Sequence, residues 1–192
     1  MWHTDRVLQL RHLSILGERP VPVTRPDLTR VEGIVAPRVL DAMRTAAATL
    51  TKLGVRHTLV GGLAVGANGY PRATKDVDFL VGEEAFEHHE GGLVTMKPGM
   101  PIQVAGVAVD FLTIGAGEEH LVAALSDEVA AAPPLVYLKL KSPRSKDRTD
   151  VIELVKAGID VDCVRAYLAS NEPGFVAKFD DLVRLARMEE EA

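Results

Sequence analysis

The spacing of apolar residues between positions 37 and 53 predicts the clearest helix of the chain. Its apolar stripe repeats every three or four residues, at Val39, Leu40, Met43, Ala47, Leu50 and Leu53. Pro37 fits the first turn of such a helix and Gly54 follows its end, which are the usual positions of these residues at helix termini. We therefore expect a helix over 37–53 with one face directed at the core.

Four strand patterns follow this helix, and turn residues separate them. Alternating or continuous apolar residues predict strands at 58–60, 76–81, 102–105 and 107–114. The last two flank Gly106, which predicts a hairpin with a tight turn. Short helices are expected at 63–68, 83–89 and 118–125. Strands and helices in this order predict an α+β fold with a small mixed β-sheet flanked by helices.

Beyond the proline pair Pro133-Pro134, the pattern of apolar residues is helical only. Helices are expected at 135–141, 146–157, 161–170 and 175–190. We therefore predict a core of residues 37–132 followed by a helical C-terminal region, 133–192. Residues 1–36 are expected to form an N-terminal extension that packs on this core. Its apolar positions recur at roughly helical spacing, at Val7, Leu10, Leu13 and Leu16.

Composition narrows the class of protein without identifying it. Of the 192 residues, 47% are hydrophobic and 26% are charged, as in an ordinary cytoplasmic domain. No stretch approaches the ~18 apolar residues of a membrane helix, so no membrane partner is expected. The single cysteine, Cys163, excludes an internal disulfide and a cysteine-rich zinc site, and we expect it in the core beside Val161 and Val164. The net charge of −5 means that any nucleic-acid binding needs a local basic patch.

Two acidic residues begin an otherwise apolar strand pattern. Asp76 and Asp78 alternate with Val77, so both side chains should lie on one face of the strand, about 7 Å apart at the backbone. Like charges in such a place repel unless a cation lies between them. Carboxylate oxygens at this separation can share Mg²⁺ ions. The pair therefore predicts a divalent metal site.

Asp110 is a third acid of the same kind, because it is the only charged residue between Val107 and Leu112. If its strand pairs beside the strand of Asp76, three carboxylates converge. Such a set is suited to two metal ions ~3.5–4 Å apart, as in nucleotidyl transfer. The alternative is that Asp76 caps a turn, that Asp78 is solvated, and that Asp110 pairs with a lysine or arginine.

A glycine pair, Gly61-Gly62, closes the first strand and opens a helix. Glycines at such a turn allow a ligand to approach the backbone closely, and helix N-termini offer N–H groups to phosphate. The segment is not a Walker A loop, because Ala67-Asn68 replaces the required lysine and hydroxyl residue. No Gly-x-Gly-x-x-Gly dinucleotide fingerprint occurs either. Alone, the turn is as consistent with structure as with function.

Together, the glycine pair and the acids resemble the signature of the DNA polymerase beta-like nucleotidyltransferase superfamily. In that superfamily a Gly-Gly or Gly-Ser turn precedes an Asp-x-Asp strand, and a third Asp follows on a later strand, as in the segments 59–65, 69–81 and 109–112 here. The form Arg-x-Thr-x-Asp-x-Asp, with Arg72 and Thr74, is most similar to AbiEii toxin-type bacterial nucleotidyltransferases. Those proteins also carry a downstream Lys and a basic stretch with two aspartates, similar to Lys139 and residues 144–150 here.

The resemblance implies a role for each matching residue. Asp76, Asp78 and Asp110 would be the catalytic metal ligands, with Asp110 also the candidate base for an incoming hydroxyl. The nucleoside triphosphate would contact Gly61, Gly62, Arg72, Thr74, Lys139 and Asp147. Mg²⁺ (or Mn²⁺) would be the cofactor and an NTP such as ATP the substrate.

The implied reaction transfers a nucleoside monophosphate to a hydroxyl of RNA (tRNA) or of a protein, in a toxin–antitoxin-like system with a cognate antitoxin or toxin as partner. Two alternatives stay open: an antibiotic nucleotidyltransferase, which the acidic charge would suit, and a non-catalytic nucleotide-binding or antitoxin-like interaction module.

A run of cations fits either a phosphate or RNA patch or a solvated helix end. It comprises Lys139, Lys141, Arg144, Lys146 and Arg148.

Overall fold

The computed structural model describes residues 25–86 and 99–192. Its α-helices are α1 (Pro37–Lys52), α2 (Gly61–Ala67), α3 (Ala132–Lys141), α4 (Ser145–Lys156), α5 (Val161–Asn171) and α6 (Val176–Glu190). Its strands are β1 (His57–Val60), β2 (Asp76–Val81), β3 (Ile102–Val104) and β4 (Val107–Thr113). Short 3₁₀ turns occur at Leu28–Val31, Glu83–Phe86, Glu119–Ser126 and Pro173–Phe175. No helix in these parts of the chain is long and apolar enough to cross a membrane.

The four strands form one mixed sheet in the order β1-β2-β4-β3. The central pair, β2 and β4, is parallel, and both outer pairs are antiparallel. The expected α+β fold with a small mixed sheet is therefore confirmed, and so is the hairpin of β3 and β4. Its turn holds Ala105 and Gly106 with φ of 50° and 76°, as a tight hairpin turn requires. Along the outer edge of β1, Leu59 exchanges backbone hydrogen bonds of 2.9 Å with Glu128 and Ala130.

Alternation along the central strands separates a core face from the face that carries the acids. Val77 and Phe79 of β2 and Val109 of β4 are at most 1% exposed. Since neighbouring residues of a strand point to opposite faces, Asp78 and Asp110 lie on the other face. One continuous apolar cluster joins this sheet to the C-terminal helices, whose contributions include Leu135, Leu140, Leu154 and Phe179. The acids thus lie on a sheet to which the helical tail is packed.

Several helices begin elsewhere than the sequence pattern suggested. α3 starts at Ala132, so Pro133-Pro134 lies inside its first turn, where the missing N–H groups of proline cost no helical hydrogen bond. α2 starts at Gly61 rather than at residue 63. The segment Glu119–Ser126 is a 3₁₀ helix. Glu83–Phe86 is also 3₁₀, and the rest of the helix expected at 83–89 lies outside the described residues. The division of the chain between residues 132 and 133 stays a prediction.

The N-terminal segment enters the structure at residue 25, and the pattern from Val7 to Leu16 lies outside the described residues. From there, Val31 and Val35 are buried, and Asp27 N–H donates a 2.9 Å hydrogen bond to the Ala67 carbonyl at the end of α2.

The expectation that Cys163 is a core residue is wrong. It is exposed in the first turn of α5, where Val164 takes the buried position instead.

Candidate active site

The parallel pairing of β2 with β4 brings two of the three acids side by side. Asp78 lies opposite Asp110 in register, and Asp76 lies opposite Ala108. Paired residues of neighbouring strands are separated by about 4.7–4.9 Å between strand axes, and their side chains point to the same face. Asp76 shares this face because it precedes Asp78 by two residues. The register thus groups all three carboxylates on one side of the sheet.

Asp78 shows that these charges interact. Burial, followed by the charges of Asp76 and Asp110, raises the pKa of Asp78 to about 6, while the cations Lys139 and Arg144 lower it in part. A carboxyl in such a place is half protonated near pH 6, whereas an exposed one is ionised. The cluster therefore holds more negative charge than its surroundings neutralise.

The three carboxylates are suited to a divalent cation but do not form a closed metal cluster. Within residues 25–86 and 99–192, no three His, Cys, Asp or Glu side chains lie close enough together to form a complete set of metal ligands. In those same ranges, Asp76 accepts a 2.6 Å hydrogen bond from Thr74 Oγ1, while Asp78 and Asp110 have no hydrogen-bond or ion-pair partner. An ion pair of Asp110 with a lysine or arginine is thus not formed there. Unpaired carboxylate oxygens that repel one another are the donors that Mg²⁺ takes.

The glycine turn lies directly against the acids. Gly61 has a φ of +64°, and a Cβ added to it would overlap the carboxylate of Asp78. A Cβ on Gly62 would lie 2.8 Å from Thr74 Oγ1 and 3.3 Å from Arg72 Nη1. Both glycines are therefore required for the close approach of this turn to β2 and to the loop before it.

Gly61→Ala should disrupt the site, and Gly33→Ala provides a matched control. Both glycines have positive φ, at +64° and +75°, so alanine is strained at both positions by about the same amount. Nothing lies within 4 Å of a Cβ on Gly33, whereas Gly61 has the Asp78 carboxylate there. We expect urea denaturation to show a loss of stability for Gly61→Ala that exceeds the loss for Gly33→Ala by about 1–3 kcal/mol. Equal losses would contradict the contact with Asp78.

A network of ion pairs, centred on two buried aspartates, lies beside the acids. Lys139, 6% exposed, donates from Nζ to Asp147 at 2.6 Å and to Asp150 at 2.8 Å, and both aspartates are 1% exposed. Arg72 donates from Nε and Nη2 to the two oxygens of Asp150, at 2.7 and 2.8 Å. Arg144 donates from Nε to Asp147 at 2.7 Å. Two aspartates one turn apart on α4 thus hold three cations.

Hydrogen bonds within the network favour the ionised form of both aspartates. Burial would raise the pKa of both aspartates. Hydrogen bonds from Lys139, Ser142 and Arg144 nevertheless hold the pKa of Asp147 below its ordinary value. Hydrogen bonds from Arg72 and Lys139 do the same for Asp150. Asp147 is 1% exposed, and its carboxylate oxygens are engaged by Lys139 and Arg144 within the network. The sequence resemblance included both aspartates of the stretch 144–150, but it gave a role only to Asp147 and none to Asp150.

The similarity of this chain to known proteins is distant. No family model and no curated protein matches it. Among solved structures it is similar to an antigenic nucleotidyltransferase-like protein from Paracoccidioides brasiliensis, with 11% identity and a TM-score of 0.43. The alignment covers 77% of this chain and 94% of that one. At this level of similarity, the functional assignment depends on the chain's own residues.

Proposed function

We propose that the protein is a Mg²⁺-dependent nucleotidyltransferase that transfers a nucleoside monophosphate from an NTP to a hydroxyl group. The observation that supports this most is the register of β2 and β4, which sets Asp78 beside Asp110 and Asp76 on the same face. The contact of Gly61 with Asp78 adds a second support, because it leaves backbone rather than a side chain at the edge of the acids.

Each residue of the site has a distinct part in this reaction. Asp76, Asp78 and Asp110 would hold the divalent ions, which when bound supply Lewis-acid stabilisation of the charge on the phosphates. Asp110 would accept the proton of the attacking hydroxyl, and Thr74 orients Asp76 through its 2.6 Å hydrogen bond. The Gly61-Gly62 turn would face the triphosphate.

The acceptor that fits the described surface best is a polyanion such as RNA. Lys146 and Arg148 are exposed on α4, the helix whose aspartates hold the network beside the acids. Cations at this position neutralise a phosphate backbone and would repel a cationic antibiotic. We therefore propose tRNA as the acceptor class, in a toxin–antitoxin-like system with a cognate partner protein.

The test is incubation of the protein with each α-³²P-labelled NTP, Mg²⁺ and total RNA. We expect label in small RNA with one NTP preferred, and no label with Asp110→Asn or with EDTA. The same reactions with a panel of aminoglycosides and lincosamides, and with the protein alone, cover the other acceptors. Label in a drug instead of RNA would replace the acceptor class. Absence of transfer to any acceptor would leave a nucleotide-binding interaction module in place of an enzyme.

A further inference from the structure

The two arginines of the ion network are each held by one aspartate of α4. Asp150 binds Arg72 through Nε and Nη2, and Asp147 binds Arg144 through Nε. In both arginines, at least one terminal guanidinium nitrogen takes no part in the contact with the aspartate. Arg72 Nη1 makes only a 3.4 Å contact with the Ala73 carbonyl, and the described residues offer no hydrogen bond to either Nη of Arg144.

Arg72 Nη1 lies against the glycine turn of the site, and the charge of Arg144 acts on its acids. Arg72 Nη1 is next to Gly62, since a Cβ on that glycine would be 3.3 Å away. Arg144 interacts electrostatically with the acids: after its hydrogen bond to Asp147, the charges of Asp78 and Asp76 help to raise its pKa. Its side chain is 74% exposed, so a ligand can reach it.

Lys139 is engaged differently from the two arginines. Its ammonium contacts two buried carboxylates at 2.6 and 2.8 Å, and its side chain is only 7% exposed. A lysine has three N–H donors on a single nitrogen, so two are already used. A guanidinium has five donors on three nitrogens and can bind a carboxylate and a phosphate at the same time.

We propose that Arg144 and Arg72 are the triphosphate-binding cations of this site, and that Asp147, Asp150 and Lys139 are positioning residues that aim them. This rests on the proposed function for the identity of the ligand. The sequence resemblance implied nucleotide contacts by Lys139, Asp147 and Arg72. The proposal assigns direct phosphate contact to Arg144 in place of Lys139 and Asp147, and keeps it for Arg72. Asp147 and Asp150, joined by Lys139, fix the two guanidinium groups relative to each other.

Isothermal titration with inorganic tripolyphosphate in Mg²⁺ tests the proposal without assuming a base or an acceptor. We expect Arg144→Ala to weaken binding at least tenfold. Arg184→Ala is the matched control, because Arg184 is an exposed arginine that also pairs with an aspartate three residues away, Asp181, on α6. It should stay within twofold of wild type. Equal affinities for Arg144→Ala and wild type would overturn the proposal.

Lysine replacements test whether the tether matters as well as the charge. Arg144→Lys and Arg72→Lys keep the charge, but a lysine that contacts its aspartate has no second nitrogen for phosphate. We expect each to lose at least fivefold in tripolyphosphate affinity, with an unchanged melting temperature for the exposed Arg144→Lys. Full affinity in both lysine variants would show that Asp147 and Asp150 do not position the phosphate contacts.

The two proposals fail in different ways. Arg144-dependent tripolyphosphate binding without transfer of NMP to any acceptor would retain the arginine assignment and reject the enzyme. NMP transfer that Arg144→Ala and Arg72→Lys leave unchanged would retain the enzyme and reject the arginine assignment. Failure of the wild-type protein to bind tripolyphosphate in Mg²⁺ would also overturn the arginine assignment, whatever the transfer assay shows.

Discussion

Replacing Asp78 with Asn is expected to stabilise the metal-free protein at pH 8 while it abolishes transfer. The pKa of Asp78 is raised from 3.8 to about 6 in the fold, chiefly by burial and then by Asp76 and Asp110. The folded protein therefore binds the proton more tightly than the unfolded chain. This contribution is fully present below pH 4 and is lost as pH rises through about 6, so ionised Asp78 costs up to about 3 kcal/mol at pH 8.

The measurement is thermal melting in EDTA between pH 4 and 8. The variant should gain on wild type across this window by about 2–3 kcal/mol and should level off above pH 7. Asp181→Asn, an exposed carboxylate on α6, serves as the control and should show no such trend. Addition of Mn²⁺ should raise the melting temperature of wild type and not that of Asp78→Asn. Transfer should fall by a factor on the order of 10³.

A stabilisation of Asp78→Asn that is independent of pH would contradict the electrostatic explanation. A variant less stable than wild type at pH 8 would mean that the Asp78 carboxylate has a favourable partner. An equal response of both proteins to Mn²⁺ would remove Asp78 from the set of metal ligands. These outcomes separate the charge of Asp78 from its role in binding the ion.

Lys139→Met should be the most destabilising single substitution in the ion network. It removes the cation shared by two carboxylates that are each 1% exposed, and it leaves Asp147 and Asp150 with one arginine each. Breaking a buried ion pair by loss of one partner costs about 3–5 kcal/mol. We expect urea denaturation at pH 8 to show a loss of this size. The loss should be partly recovered toward pH 5, because removal of the lysine raises the pKa of both aspartates and they take up protons as the pH falls.

Lys146→Met is the control for this substitution, because Lys146 is exposed on α4 and has no salt bridge among the described residues. Its effect should lie within about 0.5 kcal/mol. If Lys139→Met costs no more than Lys146→Met, the network does not stabilise the junction of the core and the tail. If the loss is large but independent of pH, packing of the lysine stem rather than its charge is the cause.

The strands were predictable from the sequence because each has a strong local pattern. Asp76 and Asp78 on one face follow from alternation alone, and the hairpin follows from Gly106 between two apolar runs. The parallel register that sets Asp78 opposite Asp110 was not predictable, because β2 and β4 are separated by a connection with no pattern that fixes their alignment. From the sequence alone, the three acids were expected to converge only if the two strands were neighbours.

The ion network was beyond local patterns for a related reason. Lys139 and Asp147 are close in sequence, but the loop between α3 and α4 decides whether they meet. Arg72 and Asp150 are 78 residues apart, so their contact is a property of the tertiary structure alone. The wrong placement of Cys163 has a simpler cause: Val161 and Val164 lie one turn apart on the face of α5 that packs against the core, and Cys163 lies outside that face.

The separation of Arg72 from Asp150 sets an order of events during synthesis. Arg72 and the strands that carry Asp76, Asp78 and Asp110 leave the ribosome well before α4, which supplies the aspartates. Until then Lys139 and Arg72 have no buried counter-ion, and the closure of so long a loop must await the docking of the tail. A nascent chain can therefore form its sheet early and still lack a complete site. The proposed site is therefore completed only when α4 has docked.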